Sequence, residues 1–296
     1  MNYQQFVSAI EVRIKQCMKG NMSICIHTAI KNNGMERKGI TVSERGINIS
    51  PTIYLEEYYE QFQNGKSMEQ IVDKILELYQ EVRFEHSWEV DCVQDYDKIK
   101  KKIVYKIINL EANRKLLEEM PYISYLDLAI VFYVLIELGN HGTATMLIQK
   151  DHMEKWGITK KKLYQDATHN TKKLLPEKFQ TMISVIQEIL TTEELKEETG
   201  ELQEDMLYIL SNQMRNFGAA CILYEGVLEE IGRQLGENYY VLPSSVHEVI
   251  IMPDKQNPCR KDLDDMITEI NETQVEAEDV LSNHAYYYNR KEKSFQ

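Results

Sequence analysis

The sequence predicts an α+β fold, with a mainly antiparallel sheet built from hairpin-plus-helix units and flanked by helices. Apolar residues recur at helical spacing in several stretches, and shorter alternating stretches between turn residues indicate β-strands. Two segments, 125–157 and 206–236, share one order: apolar strand, glycine-containing turn, second strand, and short helix ending in glycine. Because such hairpin connections are local, the sheet should be mainly antiparallel, which favours α+β over α/β.

The first predicted segment, residues 1–83, contains a helix, a hairpin and two further helices. Apolar residues at helical spacing indicate the first helix over 3–18. Alternating residues at 23–30 and 39–44 flank the turn sequence KNNG, which predicts a β-hairpin with a somewhat long connection. This hairpin is the first strand pair that we expect along the chain.

Capping residues predict where the next two helices begin. Ser50 is a natural N-cap and Pro51 suits the first helical position, which together predict a helix from this point to residue 62. Ser67 and Gln70 form the pattern of a capping box for a third helix. An irregular connector, 84–94, is expected to follow.

The second predicted segment, residues 95–190, is a central α+β unit. Thr159 is the expected cap of its clearest helix, and Gly157 should stop the short helix before it. The predicted strands are 125–137 and 143–149, the predicted helices are 109–120, 150–157, 159–175 and 179–190, and the basic stretch 98–106 suits a helix or a strand.

The third predicted segment, residues 206–296, is a C-terminal α+β unit that should share one sheet with the second. An acidic stretch, 191–205, is the expected linker between the two. The predicted strands are a pair at 206–212 and 218–224, one or two within 239–253 and one at 284–292, and the predicted helices are 225–236 and 259–274.

Composition restricts the environment and the partners of the chain. Its 296 residues carry a net charge of −13, which argues against nucleic acid as the main partner; lysines within 98–106 and 159–173 are the local exceptions. The absence of a long apolar run predicts no membrane span, and the N-terminal residues do not resemble a signal peptide. Five scattered cysteines without CxxC spacing favour a reducing cytoplasm over a disulfide framework.

Several familiar chemistries can be excluded from the motifs. Neither of the glycine-rich phosphate-binding loops is present, and the nucleophile motif GxSxG is also missing. The stretch HEVII at 247–251 begins like a zinc-protease helix but has isoleucine where the second histidine should stand. His152 and Glu154 begin like a zinc-deaminase motif, but no paired cysteines follow. We therefore expect neither a metal nor a cofactor.

The stretch VLPSSVHEVIIMP, 241–253, contains the main candidate pocket residues: Ser244, Ser245, His247 and Glu248. If these lie on one strand, Ser245 and His247 share a face at a Cα separation of roughly 6.6–7 Å. A serine oxygen barely reaches an imidazole over that distance, so a nucleophile–base pair within the strand is poor. The favoured interpretation is a bend at Pro243, with a structural hydrogen bond from His247 to the backbone.

Residues outside this stretch complete the candidate site. Tyr224, Glu225 and Asp254 are options as partners for a polar group in 244–248, and nothing in the sequence selects among them. Asp127 lies in an apolar stretch, where a carboxylate needs a partner or a solvated edge. A structural hydrogen bond to a loop amide is favoured for Asp127 over a catalytic role.

The favoured function is that of a non-catalytic binding module for a protein or small-molecule partner. Tyrosine clusters at 58–59, 239–240 and 286–288 suit interface or groove surfaces, although packing at the edge of the core explains them equally well. The alternative is a hydrolase-like or transferase-like enzyme that uses the polar cluster around Ser245 and His247. Nucleic-acid association through the lysine stretches is the least favoured interpretation.

Stretches along nearly the whole chain resemble an uncharacterised family of bacterial proteins from clostridial gut anaerobes, catalogued as a domain of unknown function. The resemblance implies a cytoplasmic, helix-rich α+β protein of about this length, and it transfers no catalytic residues. The similar stretches are KNNGMERKGITV, NISPTIYLEEYY, PYISYLDLAIVFYV, ATMLIQKDHMEKWGI, LYQDATHNTKKLLP, LYEGVLEEIG, LPSSVHEVIIMP and EDVLSNHAYYYNRKE.

Overall fold

A computed structural model describes residues 1–18, 22–47, 50–83, 95–139, 142–189, 207–255 and 258–296. The predicted connector 84–94 and the predicted linker 191–205 therefore lie outside the described residues. The chain divides into two compact units: residues 1–99 with 135–145, and residues 100–134 with 146–296. The division into three segments stays a prediction, and each compact unit is described by itself.

The first unit packs helices on a three-stranded antiparallel sheet. Its elements are α1 (Tyr3–Cys17), β1 (Met22–Ile30), β2 (Glu36–Glu44), β3 (Thr52–Tyr54), α2 (Glu56–Gln63), α3 (Met68–Val82) and the short α4 (Tyr96–Ile99). The sheet order is β1–β2–β3, with the predicted hairpin formed by β1 and β2. The apolar stripe of α1, at Phe6, Ile10 and Ile14, is buried in the core of this unit, as the helical spacing predicts.

The predicted helix start at Ser50 and Pro51 is wrong, whereas the capping box of α3 is confirmed. Residues 52–54 form strand β3 beside β2, and α2 begins at Glu56, where no side chain caps it. Pairing with an existing hairpin edge therefore overrides the local cap signal. At α3, the Ser67 hydroxyl accepts the Gln70 amide at 3.2 Å, and the Gln70 side chain accepts the Ser67 amide at 3.0 Å.

The next sheet along the chain has four strands, and residues 135–139 and 142–145 of it belong to the first unit. Its strands are β4 (Ile103–Asn109), β5 (Tyr122–Tyr125), β6 (Leu128–Gly139) and β7 (Gly142–Leu147), with β6 between β4 and β5 and also paired to β7. The helix predicted over 109–120 is confined to the short α5 (Arg114–Leu117), because β4 continues to Asn109 against Leu128.

Two helices follow this sheet, α6 (Lys150–Trp156) and α7 (Lys160–Leu174). Gly157 adopts the left-handed conformation that ends α6, with φ of 63°. The Thr159 hydroxyl caps α7 by accepting the Lys162 amide at 3.2 Å. Both boundaries agree with the sequence prediction, because each depends on residues within one turn of the helix end.

The rest of the second unit is built on a six-stranded antiparallel sheet of order β13–β12–β10–β11–β9–β8. Of the predicted central segment, only β8 joins this sheet, while β4 to β7 form their own. The elements are β8 (Glu177–Thr181), α8 (Met182–Ile189), β9 (Tyr208–Asn212), α9 (Val227–Leu235), β10 (Tyr239–Leu242), β11 (Val249–Pro253), α10 (Arg260–Thr273), β12 (Tyr286–Asn289) and β13 (Ser294–Phe295).

Two predictions in this region are wrong. Residues 177–181 form strand β8, so the helix predicted over 179–190 starts only at Met182. Residues 218–223, predicted as a strand, form a 3₁₀ helix, and the repeated order inferred for 125–157 and 206–236 is therefore absent. Residues 218–222 of this helix are all buried, so their apolar composition reflects complete burial rather than alternation in a strand.

Gly218 shows why this 3₁₀ helix needs a residue without a side chain. A Cβ atom there would lie 2.1 Å from Ser211 Oγ and 2.6 Å from both the Asn212 nitrogen and the His247 carbonyl oxygen. The backbone can therefore approach the end of β9 only because position 218 is glycine.

Among the described residues, no helix combines the length and apolarity needed to cross a bilayer.

Candidate functional site

The candidate stretch 243–248 connects β10 to β11 and pairs with residues 279–282. The Val246 amide donates to the Asp279 carbonyl at 2.8 Å, and the Leu281 amide donates to the Ser244 carbonyl at 3.0 Å. An isolated antiparallel bridge joins Ser245 to Val280. Because β10 ends at Leu242 and β11 begins at Val249, the strand alternation expected for Ser245 and His247 is wrong.

Ser245 is occupied by the backbone of its own turn. Its hydroxyl oxygen accepts the His247 amide at 3.1 Å, a local side-chain-to-backbone bond of the kind that stabilises turns. Ser244 and Ser245 are both almost fully buried. The hydroxyl of Ser245 thus orders the backbone that leads into His247.

Both ring nitrogens of His247 have partners. Nδ1 accepts the Phe217 amide at 3.3 Å, and Nε2 lies 3.2 Å from Asp279 Oδ1. A nitrogen that accepts an N–H carries no proton, so this geometry places the imidazole proton on Nε2, which donates to Asp279. The side chains of His247 and Asp279 are each 31% exposed, so the pair lies at the surface rather than in a closed cavity.

Aromatic and cationic groups surround the imidazole. The Phe217 ring stacks on His247 at a centroid distance of 5.6 Å and an interplanar angle of 15°. The Lys106 ammonium lies 3.8 Å from the centroid of the same phenyl ring, within the range of a cation–π contact. Tyr133 meets Phe217 edge-on at 5.8 Å. Phe217 therefore links β4, β6 and the turn of His247.

This arrangement fixes the imidazole and leaves it without the geometry of a general base. A general base needs a nitrogen within reach of a reacting proton, and here one nitrogen accepts a backbone amide and the other faces a carboxylate. Within the described ranges, no three histidine, cysteine or acidic side chains are grouped so that they could hold a metal ion. What the arrangement does is to position the backbone: it holds residues 215–217 against residues 245–247.

Glu248 lies in a different environment, a shallow depression of about 270 Å³. Its walls come from β8, β9, α8 and the connection after β9. Beside it, the Glu188 carboxylate accepts hydrogen bonds from Lys178 at 3.1 Å and Gln180 at 2.8 Å and pairs with Arg215. Hydrogen bonds from Gln180 and then Lys178 lower the pKa of Glu188. The lining residues are Lys178, Gln180, Val185, Ile209, Ser211, Asn212, Arg215 and Glu248.

The connection from β9 to the 3₁₀ helix, residues 212–217, is held in an uncommon backbone conformation. Arg215 and Phe217 adopt left-handed φ values of 50° and 54°, which cost energy for residues with a Cβ atom. The buried Asn212 side chain holds both ends of the turn: its carbonyl accepts the Met214 amide at 3.0 Å, and its amide donates to the Asn216 carbonyl at 2.8 Å. Met214 is 43% exposed at the tip.

Asp127 lies apart from residues 212–217, in the turn between β5 and β6. Its carboxylate accepts the Ser282 hydroxyl at 2.6 Å and also the Tyr286 hydroxyl. The partners are thus the side-chain hydroxyls of Ser282, before β12, and of Tyr286, the first residue of β12, where a loop amide was expected. Burial, followed by the charge of Asp127, raises the pKa of Tyr286 above its usual range. Asp127 therefore fastens this turn to residues 282–286.

Tyr224 is buried at the end of the 3₁₀ helix, and its hydroxyl donates to the Leu175 carbonyl at 2.8 Å. Its ring meets Tyr105 edge-on at 6.2 Å. Burial raises the pKa of the neighbouring Cys221 thiol to about 12, so the sulfur stays protonated at neutral pH. The structure thus brings Ser245 and His247 together, with Glu248 next to them, and gives Tyr224 and Asp127 other partners.

Sequence reasoning did not identify Phe217, Asp279 or Arg215. Phe217 and Asp279 are each about thirty residues from His247 along the chain, and no local pattern connects them. One signal was available in the sequence: the polar run SNQMRN at 211–216 ends a predicted strand and contains no glycine. Such a polar run between apolar segments predicts a loop.

The lysine stretches 98–106 and 159–173 are only partly brought together. Lys106 turns to the Phe217 ring, whereas residues 100–102 form a 3₁₀ turn beside α7. The buried Asn170 of α7 donates through Nδ2 to the carbonyls of Lys100 at 2.6 Å and Ile103 at 2.9 Å. Lys160 lies ten residues earlier on α7, about 15 Å along the helix axis.

Comparisons with known proteins identify a family without assigning a function. A family model described as "Family of unknown function (DUF5688)" matches residues 3–290, which is almost the whole chain. No curated protein and no solved structure matches the chain. The chain therefore belongs to DUF5688, a family of unknown function.

Proposed function

We propose that this chain is a non-catalytic binding module that recognises a protein partner through the recognition loop, 212–217, and the depression beside it. The observation that carries the proposal is the pair of left-handed, non-glycine residues, Arg215 and Phe217, on either side of Asn216. Backbone strain of this kind costs about 1–3 kcal/mol at each residue and persists where the surrounding structure enforces it, often at binding sites.

The contacts around the loop support recognition by a pre-formed surface. Asn212, His247 and Glu188 hold the loop from three sides, so little conformational entropy remains to be lost on binding. Met214 is exposed at the tip, and a flexible thioether side chain suits contact with an apolar group of a partner. The depression is shallow, and its volume of about 270 Å³ includes open solvent; only about 20 Å³ can be occupied by the centre of a water-sized sphere, far less than the roughly 300–1,000 Å³ of small-molecule pockets. A protein surface therefore fits this site better than a small ligand.

The engagement of Ser245 and His247 supports a role without covalent chemistry. The serine hydroxyl accepts an amide of its own turn, and neither imidazole nitrogen is directed at an open position. The contact between His247 and Asp279 is the one observation that favours the alternative, a hydrolase-like or transferase-like enzyme. That alternative requires the imidazole to leave the Phe217 amide before it can accept a proton.

The same proposal includes a bacterial, clostridial origin and a cytoplasmic location. Support for the location comes from the thiols: Cys17, Cys25 and Cys259 are unpaired and exposed. Exposed thiols persist in a reducing compartment and oxidise readily outside one.

The proposal can be tested by affinity capture that compares Met214→Lys with a matched variant, Met266→Lys. Met266 lies on α10 and is 38% exposed, so both substitutions place a charge at an exposed methionine. Proteins captured from a lysate of the source cells would be quantified by isotope labelling and mass spectrometry. We expect at least one protein to be retained by the wild type and Met266→Lys and lost with Met214→Lys. An identical set of captured proteins for all three chains would contradict the proposal.

A further inference from the structure

A second surface of the molecule, separate from the recognition loop, concentrates positive charge on a chain with a net charge of −13. It consists of Lys100, Lys101, Lys102 and Lys173, which we call the lysine surface. Residues 100–102 form a 3₁₀ turn immediately before β4, and Lys173 lies in the last turn of α7. Lys101, Lys102 and Lys173 are exposed.

A buried polar side chain holds this turn in place. Asn170 is 8% exposed and bonds the carbonyls at both ends of the turn through one amide nitrogen. The next residue, Thr171, accepts the Tyr105 amide at 3.1 Å and so fixes the start of β4 to the same helix. Lys173 is three residues after Asn170 and therefore lies on the side of α7 that faces the lysine turn. The lysine backbones are thus pre-positioned relative to one another.

Two carboxylates on or just after α7 pair with other lysines. Asp166, on the same side of α7, pairs with Lys162 at 2.7 Å, and Glu177 lies 3.7 Å from Lys172. In the part of the chain that the structure describes, Lys101 and Lys173 have no carboxylate partner. Their charges therefore project a positive potential from a molecule that is otherwise acidic.

We propose that the lysine surface docks a short acidic segment of a partner protein. The positive charge of the surface favours carboxylates as the groups that bind to it. Because the surface consists of only four lysines, a short segment is enough to cover it. A nucleic acid duplex carries about one charge per 1.7 Å along its axis, so it would extend from the lysines onto the acidic remainder of the molecule. An acidic peptide segment places its carboxylates on the lysines alone. The fixed backbone of the lysine turn reduces the ordering cost of binding.

The test measures binding of a short fluorescein-labelled oligoglutamate peptide to the whole chain by fluorescence anisotropy. The wild type is compared with Lys101→Glu/Lys173→Glu and with the control Lys160→Glu/Lys161→Glu, which changes the charge equally at exposed lysines of the first turn of α7. We expect roughly tenfold weaker binding for the first variant and less than about twofold for the control. Wild-type binding should also weaken between ~20 and ~200 mM salt, because salt screens exposed charges.

Other results would overturn the proposal. Equal loss of binding in the two double variants would show attraction by net charge rather than by this surface. Equal retention of binding would show that the peptide binds elsewhere on the chain. Failure of the wild type to bind the peptide even at low salt would also reject it. A labelled oligonucleotide that binds more tightly than the peptide, and loses binding with Lys101→Glu/Lys173→Glu, would assign the surface to nucleic acid instead. Circular dichroism melting curves verify that all three chains are folded.

Discussion

The Phe217 amide donates to Nδ1 of His247 at 3.3 Å, and the two rings stack 15° from parallel. One residue thus satisfies the imidazole through its backbone and covers it with its side chain. Phe217 makes both contacts from a left-handed backbone conformation, with φ of 54°. The two contacts together hold the imidazole of His247 against Phe217.

Removal of the imidazole should destabilise the fold. His247→Ala leaves the Phe217 amide and Asp279 without a partner and removes a stacked ring, which together should lower the free energy of unfolding by about 1–3 kcal/mol. Urea denaturation monitored by circular dichroism measures this change. His169→Ala provides the control, because His169 is exposed on α7, and its effect should stay within about 0.5 kcal/mol. An equally small effect of both substitutions would show that the Phe217–His247 contact is dispensable.

Replacement of Leu126, in the turn between β5 and β6, by glycine should stabilise the fold. Leu126 adopts a φ of 54° and its side chain is 48% exposed, so glycine relieves backbone strain and removes little packing. We expect Leu126→Gly to raise the free energy of unfolding by up to about 1 kcal/mol. Leu147→Gly, at an exposed leucine in β7, should lower it by about 0.5–1 kcal/mol. Thermal unfolding of both variants measures the difference. A loss of stability in Leu126→Gly as large as that in Leu147→Gly would contradict the strain argument.

The carboxylate of Asp127 should be coupled energetically to Tyr286. Asp127→Ala leaves two hydroxyl donors unpaired, which should cost about 2–3 kcal/mol, and Tyr286→Phe removes one of these bonds. Because the two groups bond each other, their effects should fall short of additivity by at least about 0.5 kcal/mol in a double-mutant cycle. Chemical denaturation of the single and double variants provides the values. Full additivity would show that Asp127 does not fasten the turn through Tyr286.

The cysteines should react at very different rates. Cys221 is buried and its pKa is raised to about 12, whereas Cys17, Cys25 and Cys259 are exposed. Because the thiolate is the reactive form, iodoacetamide at neutral pH should modify the three exposed residues first and Cys221 only on unfolding. Peptide mass spectrometry after timed labelling distinguishes these sites. Early modification of Cys221 in the native protein would contradict its burial.

The parts of the fold that sequence predicts are those governed by neighbouring residues. Ser67 with Gln70, Thr159 and Gly157 mark helix ends through bonds or backbone angles within one turn, and the structure has these ends where expected. The hairpin of β1 and β2 is likewise a local pairing. Each of these features can form before any distant part of the chain is in place.

The failures arise where distant residues decide the outcome. Residues 218–222 have strand-like composition, but close approach to Ser211 and His247 at Gly218 makes them a 3₁₀ helix. Ser50 and Pro51 suit a helix start, but the edge of β2 pairs with the residues that follow them. Composition indicates that such residues will be buried, but it does not indicate which other residues will cover them.

In the candidate site, too, the sequence indicates contacts between neighbouring residues and not those between distant ones. The sequence singles out Ser245 and His247, and in the structure the Ser245 hydroxyl accepts the His247 amide two residues along the chain. It carries no signal for Asp279 or Phe217, which reach His247 from elsewhere in the chain. The difference between a catalytic histidine and a structural one depends on those distant partners.

The central claim is that His247 is a fixed structural connection, and long-range ¹H–¹⁵N NMR spectra of its imidazole test that claim most directly. The spectra report which ring nitrogen carries the proton. In the neutral form of the imidazole, we predict the proton on Nε2 and an unprotonated Nδ1 that accepts the Phe217 amide, and the Phe217→Ala variant should retain this tautomer because the amide remains. A proton on Nδ1, with Nε2 unprotonated and open to solvent, would contradict the claim and favour the enzyme alternative.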